Sequence, residues 1–297
     1  MVVDFHVHLE YEAAGRKHDA AAIVAAMDGA GVDVSVLLGN DQADAGENPP
    51  WADPSRMTED VNRADEEMAA YCGLYPTRFV GFTSVHPDRY QPHRKLRRAV
   101  QEFGMKGVKL YPHAGFFPND PRLNRVFEQC IELDIPVMIH SGIKAVQWQR
   151  LKYNDPVFVD DVAVAFPELK IVLCHGGYPW TEQFLCVAYS NPNIWVDLTF
   201  LDSIERTYMV PDLVETTIRR LKGTIGTRRL LWGTEGPFMN LPLFGQHGPK
   251  YCRESQHSLV RRLPFLSEAE KDDILGNNAA RLLKLGPSGK EAPSDGK

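Results

Sequence analysis

The sequence predicts an α/β protein, a single (β/α)8 TIM barrel with extra C-terminal helices. Short β-branched or apolar runs alternate with longer amphipathic segments, and the alternation repeats eight times. That pattern predicts a parallel sheet with helical crossovers. A chain of 297 residues that is 43% hydrophobic can bury a large core, and β/α barrels of about 250 residues form one domain. The alternative is an open doubly wound sheet, whose glycine-rich GxGxxG loop after the first strand is missing here.

The eight strands are read from "VVDFHVHL" (2–9), "VSVLLG" (34–39), "FVGFTSV" (79–85), "GVKLYP" (107–112), "PVMIHSG" (136–142), "KIVLCHGG" (170–177), "NIWVDLTF" (193–200) and "RLLWGTEGP" (229–237). Between them stand helical segments such as "HDAAAIVAAMDGAG", "MTEDVNRADEEMAAYCGLYP", "YQPHRKLRRAVQEFG" and "PRLNRVFEQCIELD", most of them stopped by Gly or Pro. The polar, Pro-rich stretch "NDQADAGENPPWADPSR" (40–56) is long for a loop, and reads either as a lid over the barrel mouth or as a disordered excursion. The barrel domain is expected over 1–286, closing with the helical "SEAEKDDILGNNAARLLKL". Residues 287–297 have the composition of a disordered tail.

Composition excludes several classes of function. The formal charge of −6 offers no basic field for nucleic acid. No apolar run approaches the roughly 18 to 20 residues of a membrane span, and no signal-peptide pattern opens the chain, so a cytoplasmic location without membrane partners is expected. The five cysteines lack CxxC spacing and are expected to be reduced and mostly structural.

In a barrel the carboxyl ends of the strands form the active-site face. Polar residues collect there: His6 and His8 on strand one, Lys109 on strand four, His140 on strand five, His175 on strand six, Asp197 in strand seven and Glu235 on strand eight. Residues i and i+2 of a strand share a face, so His6 and His8 point together into the mouth, spaced to grip one ion. A catalytic zinc site typically takes three protein ligands, and two from strand one plus one from strand five would supply them. Each histidine alone is more often a hydrogen-bonded structural residue; four at the ends of three strands on one face are harder to explain as core filler.

The motifs "DFHVHL", "GVKLYP", "PVMIHSG", "LCHGG", "LLWGTEGP" and "ILGNNAARLL", in this order and at barrel spacing, resemble those of the amidohydrolase superfamily. The likeness is greatest to its second, amidohydrolase-related branch of decarboxylases and small metal-dependent hydrolases, and covers nearly all of 1–285. The resemblance implies one divalent metal, usually zinc and with manganese as the other option, held by His6, His8, His140 and a strand-eight acid. His175 would stand beside the metal as acid or base. It also implies a small-molecule substrate and a homodimer. The family's strand-eight acid is usually aspartate, where this chain has Glu235 in "GTEGP", read here as a ligand or as the general base. Lys109 is read first as a cation for a substrate carboxylate or carbonyl, with an ion pair to Glu235 as the structural alternative. Tyr111, His113 and Trp180 are candidate pocket residues, against ordinary loop packing. His86 in "SVHP" reads as a turn residue, and His18, His93, His247 and His257 are assigned no role.

Such a site activates water for cleavage of an amide, lactone or ester, with His175 or Glu235 moving the proton. The same parts would serve non-oxidative decarboxylation of an unsaturated or aromatic acid. Hydrolysis ranks first because no arginine stands at a strand end; Arg150, with Lys144 beside it in the loop after strand five, is the nearest. A metal-free barrel acting as an isomerase or binding protein is the third reading.

Overall fold

The computed structural model describes residues 1–8, 19–40, 61–89, 91–144, 147, 149–236 and 256–286. The excursion read at 40–56 lies outside these residues apart from Asn40, as do the tail at 287–297 and His18 and His247.

All eight strands are present and parallel: β1 (Val3–His8), β2 (Val34–Leu38), β3 (Phe79–Ser84), β4 (Val108–Leu110), β5 (Val137–Ile139), β6 (Ile171–Leu173), β7 (Ile194–Asp197) and β8 (Leu230–Leu231). They lie in sequence order. β1 returns to the β8 end through Phe5 N to Trp232 O at 2.9 Å and His8 N to Glu235 O at 3.0 Å, which closes the barrel. The later strands are shorter than their apolar runs because the chain turns away where the functional residues begin. After Leu173 it enters a 3-10 turn at His175–Gly177, so His175 follows its strand instead of ending inside it.

The helices α1 (Ala20–Ala30), α2 (Val61–Leu74), α3 (Pro92–Phe103), α4 (Asn124–Glu132), α5 (Val157–Ala165), α6 (Thr181–Ser190), α7 (Leu201–Thr207) and α8 (Leu213–Ile225) run between or after the strands. Their ends follow local chemistry. Asp19 caps α1 by accepting from Ala21 N, and Gly31 closes it in the left-handed region. Pro92 starts α3 and Gly104 ends it in the same way. The extra C-terminal helices are α9 (Gln256–Arg262), α10 (Glu268–Asp272), which opens on a Ser267–Glu270 capping box, and α11 (Asn278–Leu283).

Two apolar layers result. The barrel interior holds Phe5, Val36, Phe82, Met138, Val172 and Leu231, stoppered at the amino-terminal end of the strands by Leu282 and Leu283 of α11. A larger shell packs the strands' outer faces against the helices. β1 changes face partway along. Val3 and Phe5 belong to the interior, whereas Val7 belongs to the outer shell, and the β1–β2 register shifts between Asp4 and Val7. An unbroken period of two would carry Phe5 and Val7 to one face. The shift turns His6 and His8, on the face opposite Val7, into the barrel. Among the described residues no helix is long and apolar enough to cross a membrane.

Candidate active site

The mouth is built around Glu235. Its Oε2 lies 3.0 Å from His8 Nε2 and 3.4 Å from His6 Nε2, and those two nitrogens are 3.2 Å apart. Its Oε1 lies 3.5 Å from His175 Nε2, which in turn is 3.1 Å from His140 Nδ1. Glu235 and His175 both have left-handed backbones, with φ of 73° and 62°. Non-glycine residues seldom adopt that region, and such strain persists where surrounding packing enforces it, often at functional sites.

Partners on the far side of each ring fix its tautomer. His6 Nδ1 donates to Asp197 Oδ2 at 2.7 Å, and Asp197 is itself held by the Thr199 backbone N–H and hydroxyl. His175 Nδ1 donates to Thr199 O at 3.1 Å, and His140 Nε2 donates to Ile143 O at 2.8 Å. The remaining nitrogens of these three rings therefore carry lone pairs. Gly233 makes room for the arrangement. A Cβ there would sit 2.3 Å from Thr199 Oγ1 and 2.8 Å from His6 Cβ, so no side chain fits.

The electrostatics agree with neutral rings and a charged carboxylate. Burial drives His6 and His140 well below the usual imidazole range and lowers His175 as well. Burial pushes the Glu235 carboxyl up, but the His8 hydrogen bond and the attraction of any proton that His6, His8 and His175 take up outweigh it and hold the group below the ordinary carboxylate range. Asp197 is raised, burial being the first cause, with His175 and Thr199 opposing. The result is a cluster rich in lone pairs and poor in protons. His6 Nε2 faces Glu235 Oε2, and His140 Nδ1 faces His175 Nε2, each an acceptor against an acceptor. That is a poor contact without a cation and a good donor set with one, and His6, His8 and Glu235 offer three atoms close enough to share it.

The other anticipated residues fall around this core. Lys109, 0% exposed, directs Nζ to Cys174 Sγ at 3.0 Å and lies 5.4 Å from the Tyr111 ring centre; no ion pair to Glu235 within 4.0 Å is found. The Tyr111 hydroxyl donates to Gly39 O at 2.8 Å. His113 packs edge-on to His140 at 4.4 Å, and its Nε2 lies 3.0 Å from Gln149 Nε2. Trp180 stands half-buried before α6, without a ring contact to the cluster among the described residues. Lys144 is occupied with the carbonyls of Gln147 and Gln149. Arg150 is exposed, its backbone N–H donates to His113 O at 2.9 Å, and its guanidinium lies about 4.0 Å from where Gly115 would carry a Cβ. His86 is a turn residue, its Nδ1 accepting from Asp88 N at 3.2 Å.

Sequence reasoning assigned no role to Cys174, Asp197, Thr199 or Gln149. Asp197 stood at a strand end and was findable. Cys174 stood beside His175 in "LCHGG", but its pairing with Lys109 spans two strands and leaves no local signal.

The family model described as Amidohydrolase matches residues 3–285. The 2-amino-3-carboxymuconate-6-semialdehyde decarboxylase of Dictyostelium discoideum is 25% identical over 269 residues, covering 80% of this chain and 70% of that protein. The gamma-resorcylate decarboxylase of Rhizobium radiobacter is 23% identical, covering 87% and 85%. The 5-carboxyvanillate decarboxylase of Novosphingobium aromaticivorans, solved with manganese and 4-hydroxy-3-methoxy-5-nitrobenzoic acid, superposes with a TM-score of 0.67 at 16% identity, covering 96% of each chain.

Proposed function

Because the chain belongs to the amidohydrolase family and is an enzyme of it, we propose that it is a metal-dependent hydrolase of a small organic acid. The observation that carries this reading is the convergence of His6 Nε2, His8 Nε2 and Glu235 Oε2 at 3.0 to 3.4 Å, with His175 on the other oxygen of the same carboxylate. His6, His8 and Glu235 would hold one divalent cation, zinc or manganese, with His140 Nδ1 as the further nitrogen. Bound there, it would supply Lewis acidity toward water and toward a substrate oxygen.

The protein's own groups do the rest. Asp197 keeps His6 in the tautomer that offers Nε2. Thr199 O fixes the proton of His175 on Nδ1, so Nε2 is open to take a proton from water and hand it to the leaving atom. Tyr111, His113 and Trp180 are assigned to the substrate, and Lys109 contributes positive potential from beneath. A second reading, non-oxidative decarboxylation, is favoured by Arg150. The backbone of Arg150 is held to His113 O, and its exposed guanidinium, which has no carboxylate partner among the described residues, lies about 4.0 Å from where Gly115 would carry a Cβ, where it would meet a substrate carboxylate. The relatives' activities point the same way.

Chelator-stripped protein, reloaded with zinc or manganese, would be incubated with 2,6-dihydroxybenzoate and with an unsaturated lactone acid. Metal-dependent ring opening of the lactone supports hydrolysis, and metal-dependent carbon dioxide release from the benzoate supports the second reading. Failure of the protein to bind either ion would overturn both.

A further inference from the structure

Cys174 has no part in the reading above, yet it stands inside the site. The donor atoms of His6, Cys174 and His175 all lie within 4.8 Å of one another, and all three residues are buried. Two imidazole nitrogens and a sulfur form a softer donor set than His6, His8 and Glu235, and thiolate selects thiophilic ions where carboxylate selects harder ones. We infer that His6, Cys174 and His175 form a second, inner seat for a thiophilic cation of the Cd2+, Hg2+ or Cu+ class.

The two seats exclude one another. His6 Nδ1 is committed to Asp197, which leaves one lone pair on Nε2, and one lone pair serves one ion. The inner seat also consumes His175 Nε2, the nitrogen assigned to proton transfer, so an ion there silences the site by occupying its base. Binding is an exchange: the Cys174 S–H bond breaks, its electron pair forms the sulfur–metal bond, and the proton leaves to solvent. Lys109, which donates to Sγ at 3.0 Å, stabilises the thiolate once that proton has gone.

The inference rests on the proposed function only in taking His6 as a nitrogen donor. The test uses metal-free full-length protein carrying Cys186→Ser and Cys252→Ser, because Cys186 is exposed and would bind the probe by itself. Cd2+ alone is titrated while the thiolate-to-cadmium absorption in the ultraviolet and proton release into weak buffer are followed. The expected result is a stoichiometric band with matching proton release, lost in Cys174→Ser and in Cys174→Ala and retained in His8→Ala. Two substitutions are used so that a folding defect in one, read by circular dichroism, leaves the other. No band in the parent protein, or a band that survives removal of Cys174, would overturn the inner seat. Mn2+ binding that persists in His8→Ala would instead sink the outer seat, whatever the cadmium result.

Discussion

His6 Nδ1 and Asp197 Oδ2 lie 2.7 Å apart, both side chains wholly shut off from solvent, and this bond joins the first strand to the seventh across the barrel mouth. It decides which nitrogen His6 offers to the site. Asp197→Asn keeps the shape but replaces the carboxyl acceptor with an amide that can present either of two atoms. Affinity for the divalent ion is expected to fall 10- to 100-fold, as is usual when the partner of a ligating histidine is altered. Competition against a chromophoric chelator measures this. Unchanged affinity would mean that Asp197 does not orient the ring.

His8 sits at the rim, its side chain 17% exposed, and makes the shortest contact to Glu235. His8→Ala removes one of three converging donors without opening the core, so the ion is expected to be lost while the thermal midpoint of the metal-free protein moves little. Metal analysis of the variant beside the parent checks it. Retention of stoichiometric metal would remove His8 from the ligand set.

The strand count and the pairing of His6 with His8 could be read from the sequence because both depend on periodicity. Apolar runs of five to eight residues declare strands, and an i, i+2 spacing declares a shared face. The β1 register shift could not be read, since "DFHV" carries the same alternation whether or not the chain slips; only the pairing of Asp4 with Ser35 but of Val7 with Leu37, and the opposite layers of Phe5 and Val7, reveal it. The contact of Lys109 with Cys174 was hidden for a related reason. It forms inside the barrel between β4 and the end of β6, and strand curvature, which no local pattern encodes, brings the two together. Glu235 was legible as a departure from the expected aspartate, but not its left-handed backbone, because "TEG" gives no hint that the acid and not only the glycine takes a positive φ.

His140 distinguishes a ligand from an orienting residue. Its Nδ1 faces His175 Nε2 at 3.1 Å, and it lies outside the His6–His8–Glu235 triangle. His140→Ala is expected to weaken divalent-ion affinity 10-fold or more and to reduce turnover. A variant that binds the ion as tightly as the parent while losing turnover would confine His140 to positioning His175.

Gly233 tests how tightly the floor of the site is packed. A methyl group there would meet Thr199 Oγ1 at 2.3 Å and His6 Cβ at 2.8 Å. Relief requires His6 or the Thr199 segment to move, and overpacking of this kind costs about 1–3 kcal/mol. Gly233→Ala should lower the unfolding free energy obtained from urea titration by that amount and weaken metal binding at the same time. A variant destabilised but with unaltered metal affinity would show that Thr199 yields and His6 does not.

Leu282 offers the contrasting case, because it stoppers the opposite end of the barrel. It is 3% exposed and packs with Val3, Phe5 and Leu231 in the interior cluster. In β/α barrels the amino-terminal face carries stability and the carboxyl-terminal face carries chemistry. Leu282→Ala leaves a void and is expected to cost about 2–5 kcal/mol in unfolding free energy. Below the unfolding transition the folded variant should bind the divalent ion with the affinity of the parent, since the donors of His6, His8 and Glu235 stand at the opposite end of the barrel. Equilibrium urea unfolding and a metal titration on the same sample separate the two effects. Loss of metal affinity in fully folded protein would mean that the interior transmits packing changes from the plug to His6 through β1, and the division between the two faces would fail for this barrel.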